Sequence, residues 1–127
     1  EYTRESLREK LSMHAGLSAH LGETDLVVIE KRIAQGDQKA KEIIDAMCYQ
    51  IAKSIGAAAT VLCGEGDAIY LTGGMARSEI LVPEITRRVS FIAPIVCYPG
   101  EYEMQSLALG AFDVLTGAEP LKELSDQ

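Results

Sequence analysis

Between Gln38 and Cys63 the apolar residues Ala40, Ile44, Met47, Ile51, Ile55, Ala58 and Leu62 recur every three or four positions. That is the spacing of one helix face, and Lys39, Glu42, Gln50 and Lys53 fall away from it. The pattern predicts a helix about 39 Å long at ~1.5 Å per residue. A stripe of that length has to be covered, so the fold must supply a sheet or a second helix along it. Within it, Gly56-Ala57-Ala58-Ala59 costs helix propensity at the glycine and offers room for another backbone to approach.

The covering elements are expected downstream. Ala68 to Leu71 form a short apolar run without polar alternation, as in a parallel strand covered on both faces, and the run stops at Gly73-Gly74. Adjacent glycines permit positive φ and remove side chains that would keep a ligand off the backbone. In open α/β sheets, ligands settle outside the carboxyl ends of strands, where this pair would lie. A tight strand-to-helix turn without a ligand satisfies the same local pattern.

Ser78 to Ser90 then reads as mostly helical, with its regular part starting a few residues before Pro83. Pro94 to Tyr98 is a second strand, and Pro99-Gly100 turns the chain. Met104, Leu107, Ala108, Ala111 and Leu115 mark a final helix that Gly117 stops. Strand, helix, strand and helix in some fifty residues predict parallel strands joined by a right-handed crossover, an α/β arrangement.

Upstream, Thr3 to about Met13 is a charged helix with Ser6 and Glu9 spaced as a capping box. Gly16 to Thr24 is looser. Leu26 to Ala34 is a short helix ended by Gly36, and Asp37 is placed to cap the long one. Leu121 to Gln127 reads as a frayed polar tail. At 127 residues and 47% hydrophobic content, residues 1–127 are expected to form one domain with its own core.

Composition excludes some functions. A net charge of −7, with no basic cluster larger than Lys31-Arg32 or Arg87-Arg88, opposes a nucleic-acid partner. No window reaches the ~18 to 20 apolar residues of a membrane span, and no basic-then-apolar leader opens the chain, so a cytoplasmic protein is expected. Cys48, Cys63 and Cys97 form no Cys-x-x-Cys pair and read as reduced packing residues. His14 and His20 supply no zinc-ligand spacing and read as loop or packing residues. The chain starts at Glu1 rather than methionine, as a fragment or a processed product would.

Five segments together are similar to the carboxyl-terminal lobe of butyrate kinases, in the acetate kinase family, and the likeness covers nearly the whole chain. They are Gly16 to Gly22, Gly36 to Lys41, Tyr49 to Ala57, Asp67 to Gly74, and Val89 to Pro94 running into Tyr98-Pro99-Gly100-Glu101. The resemblance implies a ribonuclease-H-like lobe of the actin, sugar kinase and chaperone ATPase superfamily, with long helices on a small sheet of parallel strands. It implies ATP or ADP with Mg2+, a short-chain carboxylate substrate such as butyrate, and a homodimer.

By that resemblance, the loop of Gly73, Gly74, Met75, Ala76, Arg77 and Ser78 meets the ribose and α-phosphate side of the nucleotide. For the Arg77 and Ser78 side chains, surface and capping roles stand beside ligand contact. Asp25 aligns with a family segment beside the adenine ring. There the family usually has arginine two positions on, and this chain has Val27, which cannot stack on a purine as a guanidinium does. Asp25 also suits a helix cap before Leu26. Glu103 aligns with a glutamate that helps hold magnesium, usually through water, while Glu101 belongs to the turn. A carboxylate at a helix start also complements the helix dipole.

The family's phosphate-gripping motif and its charge-stabilising arginine and histidine match nothing here. The catalytic groups are therefore expected upstream of Glu1, and the 127-residue chain alone is expected to be inactive. A nucleotide-binding or interaction lobe without kinase chemistry is the rival reading, kept open by Val27. A dinucleotide-binding enzyme is disfavoured, because Gly73-Gly74 lacks the G-x-G-x-x-G spacing.

Overall fold

The computed structural model describes residues 2–100 and 102–122. Its longest element obeys a local rule. The Asp37 carboxylate accepts from the Ala40 backbone N–H at 2.9 Å and so satisfies a donor that the first helical turn leaves free. From that cap runs helix α4, Gln38–Val61, two residues shorter than its periodicity extends. Three helices precede it: α1 (Arg4–Met13), α2 (Leu17–Leu21) and α3 (Leu26–Ala34). After it come strand β1 (Ile69–Gly73), a 3-10 turn (Gly74–Arg77), helix α5 (Leu81–Val89), strand β2 (Ile95–Pro99) and helix α6 (Glu103–Leu115).

The two strands pair in parallel, from Ile69 opposite Ile95 to Gly73 opposite Pro99, with α5 as the connection. The core lies where α3, α4 and α5 meet. Ile29, Ala40, Ile44, Cys48, Leu81, Ile85 and Val89 are buried in one cluster, and Ile69, Leu71 and Ile95 of the sheet pack against it. Burial on α4 is concentrated in its first half, at Ala40, Ile44 and Cys48. Among the described residues no atom comes within 4 Å of a Cβ placed on Gly56, so no backbone approaches closely at the glycine itself. Gly56 and Ala59 instead line an open groove with Cys63, Gly64 and Phe91.

Four further expectations are corrected. The α1 cap is Thr3, whose hydroxyl accepts from Ser6 N, rather than Ser6 with Glu9. The segment from Gly16 is not loose throughout, because Leu17 and Leu21 rest on the core and fold its middle into α2. Only one face of β1 is covered. Tyr70 and Thr72 are exposed, and Tyr70 stacks on Tyr98 with ring centroids 5.9 Å apart, since a two-stranded sheet backed by α4 and α5 has helices on one side. Packing describes Cys48 alone among the thiols, for Cys63 and Cys97 are exposed. Burial pushes the Cys48 thiol up from its ordinary pKa.

His14 and His20 are exposed on α1's carboxyl end and on α2, and neither packs. Asp37, the Leu26 helix start and the stop at Gly117, which has φ of 76°, fall as expected. Of the expected tail, Leu121 and Lys122 are without regular structure and the remainder lies outside the described residues, as does Glu101. No helix among the described residues is long and apolar enough to cross a membrane.

Candidate functional site

Both strands end at the same level, so the 3-10 turn leaving β1 and the start of α6 beyond β2 are brought together. A cleft of about 390 Å3 opens there, lined by Thr72, Gly73, Tyr98, Gly100, Tyr102, Glu103 and Ser106. Gly73 and Glu103, thirty positions apart, face the same space.

Backbone geometry explains the floor of this cleft. Gly73 has φ of 80° and ψ of −176°, a conformation that only glycine adopts without strain. It releases the chain from β1 into the 3-10 turn while its carbonyl accepts from Gly100 N at 3.3 Å. Gly100, with φ of 152°, also favours glycine, and a Cβ there would stand 2.6 Å from the Tyr102 ring and push it aside. Gly74 is different. Its φ is not positive and a Cβ on it would meet nothing within 4 Å among the described residues, so none of these requires glycine at that position.

The rest of the loop divides between surface and interior. Met75 and Ala76 line a smaller apolar cavity of about 150 Å3 with Ile51, Tyr70, Leu71 and Leu81. Arg77 is exposed. Ser78 is buried, and its hydroxyl is fully engaged. It donates to the Glu30 carboxylate of α3 and accepts from Leu81 N at 2.8 Å and Ile80 N at 3.3 Å, which caps α5.

Asp25 is not among the residues of the cleft. It caps α3, with Oδ1 accepting from Val27 N at 2.9 Å, and Val27 itself is exposed on the first turn. Just before it, Glu23 accepts from Thr24 N at 2.7 Å and Asp25 N at 2.9 Å. The Asp25 and Thr24 backbone donors hold the Glu23 carboxyl below its ordinary pKa. Glu103 is the first residue of α6 and is exposed. Among the described residues, no three potential ligands of the His, Cys, Asp and Glu types cluster as a protein cage for a metal.

Sequence reasoning missed Tyr102 and Ser106 as cleft residues. Ser106 carried a signal, lying three positions after Glu103 and so on the same side of a helix. Tyr102 carried none, because its place depends on the absent side chain of Gly100.

Comparison with known proteins decides the family. The model of the acetokinase family matches residues 1–92. The chain belongs to the acetokinase family. It is 52% identical over 122 residues to a probable butyrate kinase of Bacteroides thetaiotaomicron, covering 96% of this chain. It is 49% identical over 126 residues to a probable butyrate kinase of Enterococcus faecalis, covering 99% of this chain. In both cases the chain spans 35% of the relative's length. A mixed helix and strand fold with a small parallel sheet is consistent with an α/β lobe of that family.

Proposed function

We propose that residues 1–127 form most of the carboxyl-terminal, nucleotide-binding lobe of a butyrate kinase, a ribonuclease-H-like domain of the actin, sugar kinase and chaperone ATPase superfamily. The full-length protein moves the γ-phosphoryl group of ATP onto butyrate or a related short-chain fatty acid, reversibly. A carboxylate oxygen attacks the γ-phosphorus, the bond to the bridging oxygen breaks, and ADP leaves with butyryl phosphate as the second product.

The observation that carries this reading is the cleft itself. It lies at the carboxyl ends of two parallel strands and brings the glycine loop and Glu103 together. Gly73 and Gly74 let the ribose and α-phosphate side of the nucleotide approach the backbone, and Met75, Ala76, Arg77 and Ser78 complete the loop. Tyr98 and Tyr102 supply apolar faces beside it.

Mg2+ keeps several waters and takes one or two protein carboxylates besides phosphate oxygens, so the exposed Glu103 suffices as its protein donor. Bound there, the ion neutralises charge on the phosphates. Asp25 and α3 lie toward the adenine, with Val27 giving apolar contact where an arginine would stack. The groups that grip the γ-phosphate and stabilise the moving phosphoryl lie outside this chain, which alone turns over nothing. The kinase acts in the cytoplasm as a homodimer.

Hydroxylamine trapping tests the reaction. Full-length protein with MgATP and butyrate should yield the hydroxamate of an acyl phosphate, and the isolated 127-residue chain should yield none. No product from the full-length protein refutes the kinase reading. Product from the isolated chain refutes the assignment of the catalytic groups to the remainder.

A further inference from the structure

Glu30 belongs to none of the five family-like segments, yet it makes the one described side-chain hydrogen bond that joins distant parts of the chain. Its partner Ser78 is 48 positions away, whereas the other described side-chain bonds join residues 11 or fewer positions apart. The bond has an apolar companion: the neighbouring Ile29 is fully buried in the cluster that contains Leu81, the residue whose N–H the Ser78 hydroxyl caps. Glu30 sits five positions along α3 from Asp25, and Ser78 closes the loop that Gly73 opens.

The loop is thus held at two points. One is the sheet, where Gly73 pairs with Pro99 and its carbonyl receives Gly100 N. The other is Ser78, whose hydroxyl has one proton to give and gives it to Glu30. Between them, Gly74 to Arg77 form a single 3-10 turn that lies against the sheet and α5 but makes no described side-chain hydrogen bond to them.

We propose that Glu30 is a positioning residue for the nucleotide: through Ser78 it sets the height of the Gly73–Ser78 loop relative to α3, so that the two sides of the base and ribose pocket move as one piece. This rests on the nucleotide-lobe reading. The carboxylate does not touch the ligand. It fixes the hydroxyl that ends the loop; without it Ser78 keeps only its cap contacts with Ile80 N and Leu81 N, its buried proton loses its acceptor, and the tie between the turn and α3 is gone.

The test uses the full-length protein with Glu30→Ala, Glu30→Gln, Glu30→Asp, Ser78→Ala and the Glu30→Ala/Ser78→Ala double variant. Glu30→Ala should raise the KM for ATP about tenfold, the scale of one hydrogen bond to a charged group, with the KM for butyrate within about twofold of the starting protein. Glu30→Gln should recover most of that loss, because its amide oxygen still accepts from the Ser78 hydroxyl. Glu30→Asp keeps charge and helix but withdraws the carboxylate by one bond, so it should fall between them and carries the test should Glu30→Ala fail to fold.

The double variant should be no worse for ATP than Ser78→Ala alone, since the two side chains act through one bond. A lowered Tm with an unchanged KM for ATP, equal increases in both KM values, or additive losses in the double variant would each overturn the proposal. If the unsubstituted protein binds no MgATP, the nucleotide-lobe reading falls and takes this one with it. If it binds and Glu30→Ala binds equally well, only the positioning role falls.

Discussion

Gly74 separates a ligand loop from a mere turn. A methyl group on it meets no atom of the described residues within 4 Å and its φ is not positive, so Gly74→Ala strains none of them. By narrowing the unfolded ensemble, such a change typically adds about 0.4 to 1 kcal/mol of stability. The neighbouring Gly73→Ala should do the opposite. At φ of 80° and ψ of −176°, a Cβ costs about 1 to 3 kcal/mol, although it also finds open space. Nucleotide affinity should show a different order. If the backbone at Gly74 lies against ribose or phosphate, the methyl displaces the ligand and forfeits at least one hydrogen bond, about 1.4 kcal/mol or tenfold in Kd. Gly74→Val, with a branched side chain, should lose more. Calorimetric titration of MgATP into the full-length protein and the three variants, with thermal unfolding in parallel, reads both quantities. A Gly74→Val protein that is stable and binds MgATP as tightly as the starting protein would refute the contact and reduce the glycine pair to a turn.

Three further outcomes are expected. Ile44 is 1% exposed, so Ile44→Ala should cost about 2 to 5 kcal/mol in denaturant unfolding, and a loss below about 1 kcal/mol would contradict its place in the core. Asp37 titrates below its ordinary range because Ala40 N and the Arg32 guanidinium donate to it. Its contribution is therefore present above the unfolded-state pKa near 4 and lost as pH falls through the lower folded value, so Tm should drop below about pH 4, and less steeply in Asp37→Ala. A slope unchanged by the substitution would count against the cap. Gly100→Ala should displace Tyr102 and weaken MgATP binding, and adding Tyr102→Ala should relieve the clash and restore part of the stability. No relief in the double variant would place the damage in the backbone alone.

The elements legible in the sequence were those governed by nearby residues. Asp37, the α4 stripe, the two strands about a helix and the stop at Gly117 each depend on side chains within a few positions. Thr3 and Ser6 show the limit of such rules: both can cap, they stand one turn apart, and only the backbone path into the helix decides between them. The uncovered face of β1 was illegible because an apolar run says that a strand can be buried on both sides, not that the fold provides a second cover. For the candidate site, Gly73 was named from its place at the end of an apolar strand and Glu103 from the family likeness, and the fold brings them to one cleft. Tyr102 was hidden because its position depends on a missing Cβ at Gly100. Glu30 was hidden because its partner is 48 positions away and no periodicity reaches so far.

The register of the two strands works as a gauge for the cleft. Because side chains alternate, a slip of one residue would turn Ile69 and Leu71 outward and drive Tyr70 and Thr72 toward α4 and α5. The same slip would move Gly73 away from Pro99 and set the glycine loop a step above or below the start of α6. Burial of the apolar face thus opposes the one-residue slip that would misalign the mouth of the cleft. Substitutions that blur the contrast between Leu71 and Thr72 should therefore broaden the range of cleft shapes before they unfold the protein.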